Sequence, residues 1–230
     1  MIRIGADGHD WPWYVDEKTA FWLPSPVWQR AGRVLDQSPN ANRDMRTTGT
    51  TISGGAVANP GADPSYGMMF STTGISFAYP VTVAMWMRDL NSTATSNWGA
   101  YMSRGSYGSI YGWNMLNWYK KVAWGSGGGF IYDPGFNPQS AGWHHYVGTY
   151  DGTTIRMYRD GADITADCTQ MGGINIGDPG ANRLLGVCGR DAGASNDRGW
   201  YCEVADLLIA NRVYEGDWVE AVYAETKGNY

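Results

Sequence analysis

Residues 81–88 read Val-Thr-Val-Ala-Met-Trp-Met-Arg. Val81, Val83, Met85 and Met87 fall on one side, and Thr82, Ala84, Trp86 and Arg88 on the other, which is the two-residue period of a strand. Ile155 and Met157 alternate with Arg156 and Tyr158 in the same way, between Asp151-Gly152 and Asp160-Gly161. Asp-Gly readily supplies the positive φ of a hairpin turn. Residues 142–161 therefore predict strand, turn, strand, turn. Residues 182–191 and 203–213 are also strand-like, and residues 98–133 alternate aromatic and glycine, predicting further strands with glycine-rich turns. Only 215–226 suggests a helix, with Asp217 as cap and Trp218 and Val222 on its packed side. About nine to fourteen strands and one short helix predict an all-β, antiparallel sandwich or jelly roll.

Residues 1–33 break this pattern. "WPWYV" and "FWLPSPVW" mix Trp with Pro, and proline lacks the N–H that a central strand needs. An extended N-terminal arm is expected, with Trp11, Trp13, Phe21, Trp22 and Trp28 as anchors. It packs either on its own domain or on a neighbouring subunit. Residues 34–230 are then the sandwich domain.

Composition adds limits. Charged residues are 17%, with 17 basic against 22 acidic and a net charge of −5, which argues against nucleic acid as a partner. Twelve Trp, 15 Tyr and 32 Gly suit many strands and tight turns and oppose disorder. No apolar run is long enough to span a bilayer. "MIRIGADGHDW" has no apolar core of a leader, so synthesis without a cleaved signal peptide is expected. Cys168, Cys188 and Cys202 lack C-x-x-C spacing, which argues against zinc. They read as buried thiols, or as one disulfide and a free thiol.

"GWHHYVGTYDGTTIRMYRDG" resembles the signature of laminin-G-like, concanavalin A-like domains: a Trp-His-His strand, a Tyr-Asp-Gly turn, a short strand and an Asp-Gly turn. "EVADLLIANRV" before a helix is similar to the closing strand of that family, "PVTVAMWMR" to an inner strand, and "LDQSPNANRD" to an early loop. The resemblance runs from about Val34 to Tyr223 and implies the concanavalin A-like jelly roll. It also implies calcium in many relatives, for which Asp36, Asn42 and Asp44 offer oxygen ligands in one loop. The closing strand departs from the family, because only Asp206 stands where an acidic pair is common.

Candidate chemistry is mostly excluded by pattern. Glucanases resembling this fold carry a Glu-x-Asp-x-Glu strand; the chain has none, and residues 90–132 contain no Asp or Glu. There is no phosphate-loop, H-E-x-x-H or G-x-S-x-G motif. His144 and His145 are strand neighbours, point to opposite faces and cannot chelate one metal together. The aromatic stretch holds Trp113, Trp118, Tyr119 and Trp124, with Asn114 and Asn117 among them. Such rings can carry the C–H faces of sugars while the amides bond hydroxyls; alternatively they fill a core or an interface.

The expected function is a non-enzymatic display or structural module of a large particle, such as a virion decoration or tail protein. It would bind carbohydrate, with protein subunits of the assembly as partners through the arm. A stand-alone lectin and a glycan hydrolase of the same fold are the alternatives.

Overall fold

The computed structural model describes residues 3–4, 10–24, 29–30, 33–34, 38, 45–46, 51–59, 68–70, 79–90, 98–104, 113–126, 128–138, 142–174, 176, 185–189 and 200–230. Within them two antiparallel sheets enclose a shared core. In the first sheet Val81–Asp89 is central, between His144–Tyr150 and Cys202–Ala210. Ile155–Arg159 and Ala162–Asp163 extend one side, and Ala56–Ala58 and Thr51–Ser53 the other. The second sheet runs in the order Thr169–Gly172, Gly129–Tyr132, Val122–Gly125, Trp113–Trp118, Trp98–Arg104, Leu185–Val187, Met68–Phe70, Met45–Arg46. The architecture is the antiparallel β-sandwich with one short terminal helix that the pattern predicts.

Val81, Val83, Met85 and Met87 all point into this core, and Tyr146, Tyr150, Met157, Val204, Leu207 and Ile209 join them from the same sheet. Tyr101, Met102, Met115, Val122 and Trp124 face them from the second. Removing each such side chain from water contributes about 1.5–3 kcal/mol. One contact sets the spacing between the layers. A Cβ on Gly148 would lie 2.4 Å from the Trp124 ring, so only glycine lets the indole lie against the His144–Tyr150 strand. The Trp124 Nε1–H then donates to the Thr149 carbonyl at 3.2 Å.

Both Asp-Gly turns form. Asp160 and Gly161 have φ of 51° and 85°, and Gly152 has 110°. Asp151 Oδ1 accepts from the Thr153 and Thr154 amides, each at 2.7 Å, and Asp160 Oδ1 accepts from the His145 amide at 3.0 Å.

Two expectations change, the arm and the helix cap. The arm is not a separate segment: Thr19–Leu23 pairs with Leu207–Ala210 as a strand of the first sheet. Phe21 enters the shared core, and Trp22 packs on the outer side of that sheet, so neither is a free docking anchor. Trp13 is 39% exposed; the Trp11 side chain and Trp28 lie outside the described residues. The helix spans Gly216–Thr226 with Glu215, not Asp217, at its N-cap and no side-chain cap bond. Asp217 sits in the first turn, where its charge favours the helix dipole. Val219 and Val222 are buried under the helix and Trp218 packs beside them. The three cysteines are free thiols, Cys188 and Cys202 buried and Cys168 half-buried.

The outer face of the first sheet is closed. The helix, Tyr14, Val15 and Trp22 cover Ala84, Val147, Tyr158 and Leu208. Trp86 stacks on Tyr223 and Tyr230, at 5.7 and 4.5 Å between ring centres, and its Nε1–H donates to Thr226 Oγ1 at 2.9 Å.

Candidate functional site

The opposite outer face, on the second sheet, carries a different set of side chains. Cross-strand pairing sets Ala100, Leu116, Ala123 and Tyr132 in one row across four strands. Trp118 and Phe130 flank that row and pack with it as a separate small cluster. Trp118 lies 4.6 Å from Tyr132 and 5.1 Å from Phe130, ring centre to ring centre. Trp118 and Tyr132 are half-buried, while Leu116 and Phe130 form the floor.

At the end of this stripe the strands Trp113–Trp118 and Val122–Gly125 meet in a tight turn. Trp118 and Lys121 exchange both backbone hydrogen bonds, at 2.8 and 3.0 Å. The two residues between them, Tyr119 and Lys120, have φ of 49° and 62°. This conformation suits Asn-Gly; a tyrosine followed by a lysine is costly there. The turn is held by Asn117, whose Oδ1 accepts from the Lys120 amide at 3.2 Å. Tyr119 is thereby presented to solvent at 50% exposure, edge-on to Trp118, with Lys120 beside it, also exposed.

Behind the turn lies a half-buried carboxyl. Asp89 Oδ1 accepts from the Tyr101 hydroxyl at 2.6 Å and from Trp200 Nε1–H at 2.8 Å. Asp89 Oδ2 accepts from Asn117 Nδ2 at 3.4 Å. Burial pushes this carboxyl up to about 6, although the Tyr101 and Trp200 donors pull the other way. On the first sheet His145 shows the converse. Its ring packs against both Trp86 and Tyr223, which also stack on each other; its Nδ1 has no partner among the described residues, and burial lowers it to about 4.

The predicted carbohydrate residues therefore divide between two faces. Trp118, Tyr119 and Asn114 belong to the outer stripe and its tip. Asn114 is 2% exposed, and its Oδ1 has no hydrogen-bond partner among the described residues. Asn117 and Trp124 point inward: Asn117 bonds Asp89 and the Tyr101 hydroxyl, and Trp124 is core. The set of six is corrected accordingly. Trp113 is in the strand, but its side chain is outside the described residues. Tyr132 and Lys120 were missed. The positive φ at Lys120 carries no sequence signal, and Tyr132 sits on the outer face only because of register.

Asp36, Asn42 and Asp44 lie outside the described residues. Among the described residues no group of three or more His, Cys, Asp or Glu could hold a metal. Asp206 accepts from the Tyr230 hydroxyl at 3.0 Å on the covered face. His144 Nδ1 pairs with Asp160 Oδ2 at 2.6 Å, locking the strand to its turn. No helix among the described residues is long and apolar enough to cross a membrane.

Two antiparallel sheets packed face to face define a β-sandwich of the jelly-roll class. The chain belongs to the concanavalin A-like lectin/glucanase superfamily, whose laminin G-type model matches residues 64–220. Among solved structures it is similar to the binding domain of Paraclostridial Mosquitocidal Protein 1, at 15% identity and a TM-score of 0.64, covering 91% of this chain and 52% of that one. It is also similar to the botulinum neurotoxin serotype D binding domain, at 10% and 0.57, covering 92% and 52%. A third is Trypanosoma rangeli sialidase, at 9% and 0.62, covering 99% and 36%. The chain thus spans about half the length of the two toxin domains and about a third of the sialidase. A search of curated protein sequences gave no match.

Proposed function

We propose that this protein is a non-enzymatic carbohydrate-binding module, displayed on the surface of a larger particle such as a virion. The observation that carries the binding reading is the Tyr119–Lys120 turn. Two non-glycine residues keep a left-handed backbone at an exposed tip, at the end of an aromatic stripe. Strain of this kind is retained where the side chains it presents have work to do. The stripe offers ring faces to sugar C–H groups, and Lys120 offers a donor beside them. The non-enzymatic reading is supported by the absence of Asp and Glu from residues 90–132. Of the carboxyls near the stripe, Asp89 is held by three donors, and Asp133, next to Tyr132, is buried against Arg159 and the Tyr146 hydroxyl. Display on a particle draws on the Trp- and Pro-rich N-terminal sequence, and of its proposed anchors Trp13 is exposed.

Glycan-array binding of the wild type against Trp118→Ala, Tyr119→Ala and Tyr132→Ala tests the binding reading. A loss of about tenfold per ring is expected, equivalent to about 1.4 kcal/mol. Tyr119→Ala should leave the melting temperature nearly unchanged. Undiminished binding by all three variants rejects this face as the site, and release of oligosaccharides from a polysaccharide panel rejects the non-enzymatic reading.

A further inference from the structure

A groove of about 480 Å³ opens where the Trp13–Asp16 turn meets the start of the Gly216–Thr226 helix. It lies on the first sheet's side of the molecule and shares no residue with the aromatic stripe. Both walls are fixed to that sheet. Thr82 Oγ1 donates to the Arg212 carbonyl at 2.7 Å and accepts from the Tyr214 amide at 2.9 Å. On the other wall the Thr19 amide donates to the Asp16 carbonyl at 2.9 Å, and the Asn211 amide to the Lys18 carbonyl at 2.9 Å.

The lining side chains form a layered stack. Trp218 lies parallel to Tyr214, 4.0 Å and 6° apart. The Arg212 guanidinium sits 4.8 Å from the same tyrosine ring, and so on its other face. Asp16 Oδ2 holds an Arg212 N–H at 3.3 Å, while the arginine side chain remains 48% exposed. Trp13 stands opposite, 39% exposed. Glu215 and Asp217 add two exposed carboxylates.

The charges decide what fits. A free anion meets three carboxylates, and the Tyr214 ring is already covered by Trp218 and the Arg212 guanidinium, leaving no open tyrosine face for a cation. An uncharged ring bearing vicinal hydroxyls satisfies both, since each hydroxyl accepts from Arg212 and donates to Asp217 or Glu215. Its C–H face can rest on Trp13 or Trp218. The volume is within the range of small-ligand sites. We infer that this groove is a second, independent site for a neutral pyranose, with Trp13, Arg212, Asp217 and Trp218 as its contacts. The module then grips glycans from two sides, and a branched or clustered glycan gains avidity from both.

The test uses the full chain and follows the indole N–H signals of Trp13 and Trp218 by NMR, assigned from single Trp→Phe variants. The probes are methyl glucoside, methyl galactoside and methyl mannoside. Tetramethylammonium and glucuronate are the charged controls. At least one neutral sugar should shift both signals at millimolar concentration, and neither charged probe should. Asp217→Asn, an exposed change, should weaken that response at least tenfold, and Trp13→Ala should abolish it at Trp218. Tyr119→Ala should leave it intact, which separates failure here from failure of the aromatic stripe. Silence with all three sugars, a response confined to a charged probe, or a response unaltered by Asp217→Asn and Trp13→Ala would each overturn the inference.

Discussion

The two outer faces of the sandwich are built from the same residue types and used in opposite ways. On the first sheet Trp86 is 4% exposed, held by stacking on two tyrosines and by a bond to Thr226. On the second sheet Trp118 is half-buried, and Tyr119 stands half in solvent on a strained turn. The terminal helix, the Tyr14–Val15 segment and Tyr230 cover one face. The other keeps its aromatic stripe accessible at the hairpin tip. An aromatic side chain thus stabilises the fold where another element covers it, and is available for recognition where it stands in solvent, as Tyr119 does.

The sharpest way to break this comparison is to truncate both tryptophans. Trp86→Ala removes a buried ring and leaves the Thr226 hydroxyl without its donor, so a loss of about 3–5 kcal/mol in denaturant unfolding is expected. If Trp118→Ala costs as much, the second face is core and the contrast fails.

Next in size is pH. Asp89 titrates at about 6 in the fold, above its ordinary 3.8. Its contribution to stability is therefore full below about pH 4 and is lost as pH rises through 6. His145 is lowered from 6.5 to about 4. Its contribution is present above pH 6.5 and is lost as pH falls toward 4. The two oppose each other across that window, each worth on the order of 3 kcal/mol. Asp89→Asn should leave only the His145 dependence, so that stability falls steeply on acidification. His145→Phe should leave only the Asp89 dependence, so that stability rises on acidification. Unfolding free energies from pH 4 to 7 that match the wild type in either variant contradict the assignment.

Smaller again is the turn. Tyr119→Asn with Lys120→Gly installs the residues that its backbone prefers, so the protein should gain about 1–2 kcal/mol while losing glycan binding. A double variant that is both more stable and fully active removes the reason for the strain. The smallest effect is Tyr119→Ala alone, expected within about 0.5 kcal/mol in stability because the ring is an exposed surface side chain. A larger loss places the ring in the core.

Much of the fold is legible in the chain. The alternation from Val81 to Arg88 names its inner and outer sides correctly, because one side is purely aliphatic and thioether. The Asp151-Gly152 and Asp160-Gly161 pairs fix two turns, because few other dipeptides adopt that backbone so readily. The site is less legible. Trp118 and Trp124 stand six residues apart in one aromatic, glycine-rich stretch, yet they lie on opposite faces. A two-residue turn pairs Asn117 with Val122 and so sends Trp124 inward, and an irregularity between Ala100 and Met102 shifts the neighbouring strand. With rings on both faces, the sequence offers no contrast by which to read this parity.

Sequence alone thus determined a sandwich of antiparallel strands with a closing helix, because short-range alternation and turn chemistry are properties of neighbouring residues. Tertiary structure alone decided which rings are covered, that Phe21 and Trp22 belong to a sheet rather than a free arm, and that Trp13 meets Arg212 and Trp218 across a groove. Those outcomes depend on register and on contacts between segments some two hundred residues apart, which no local pattern encodes.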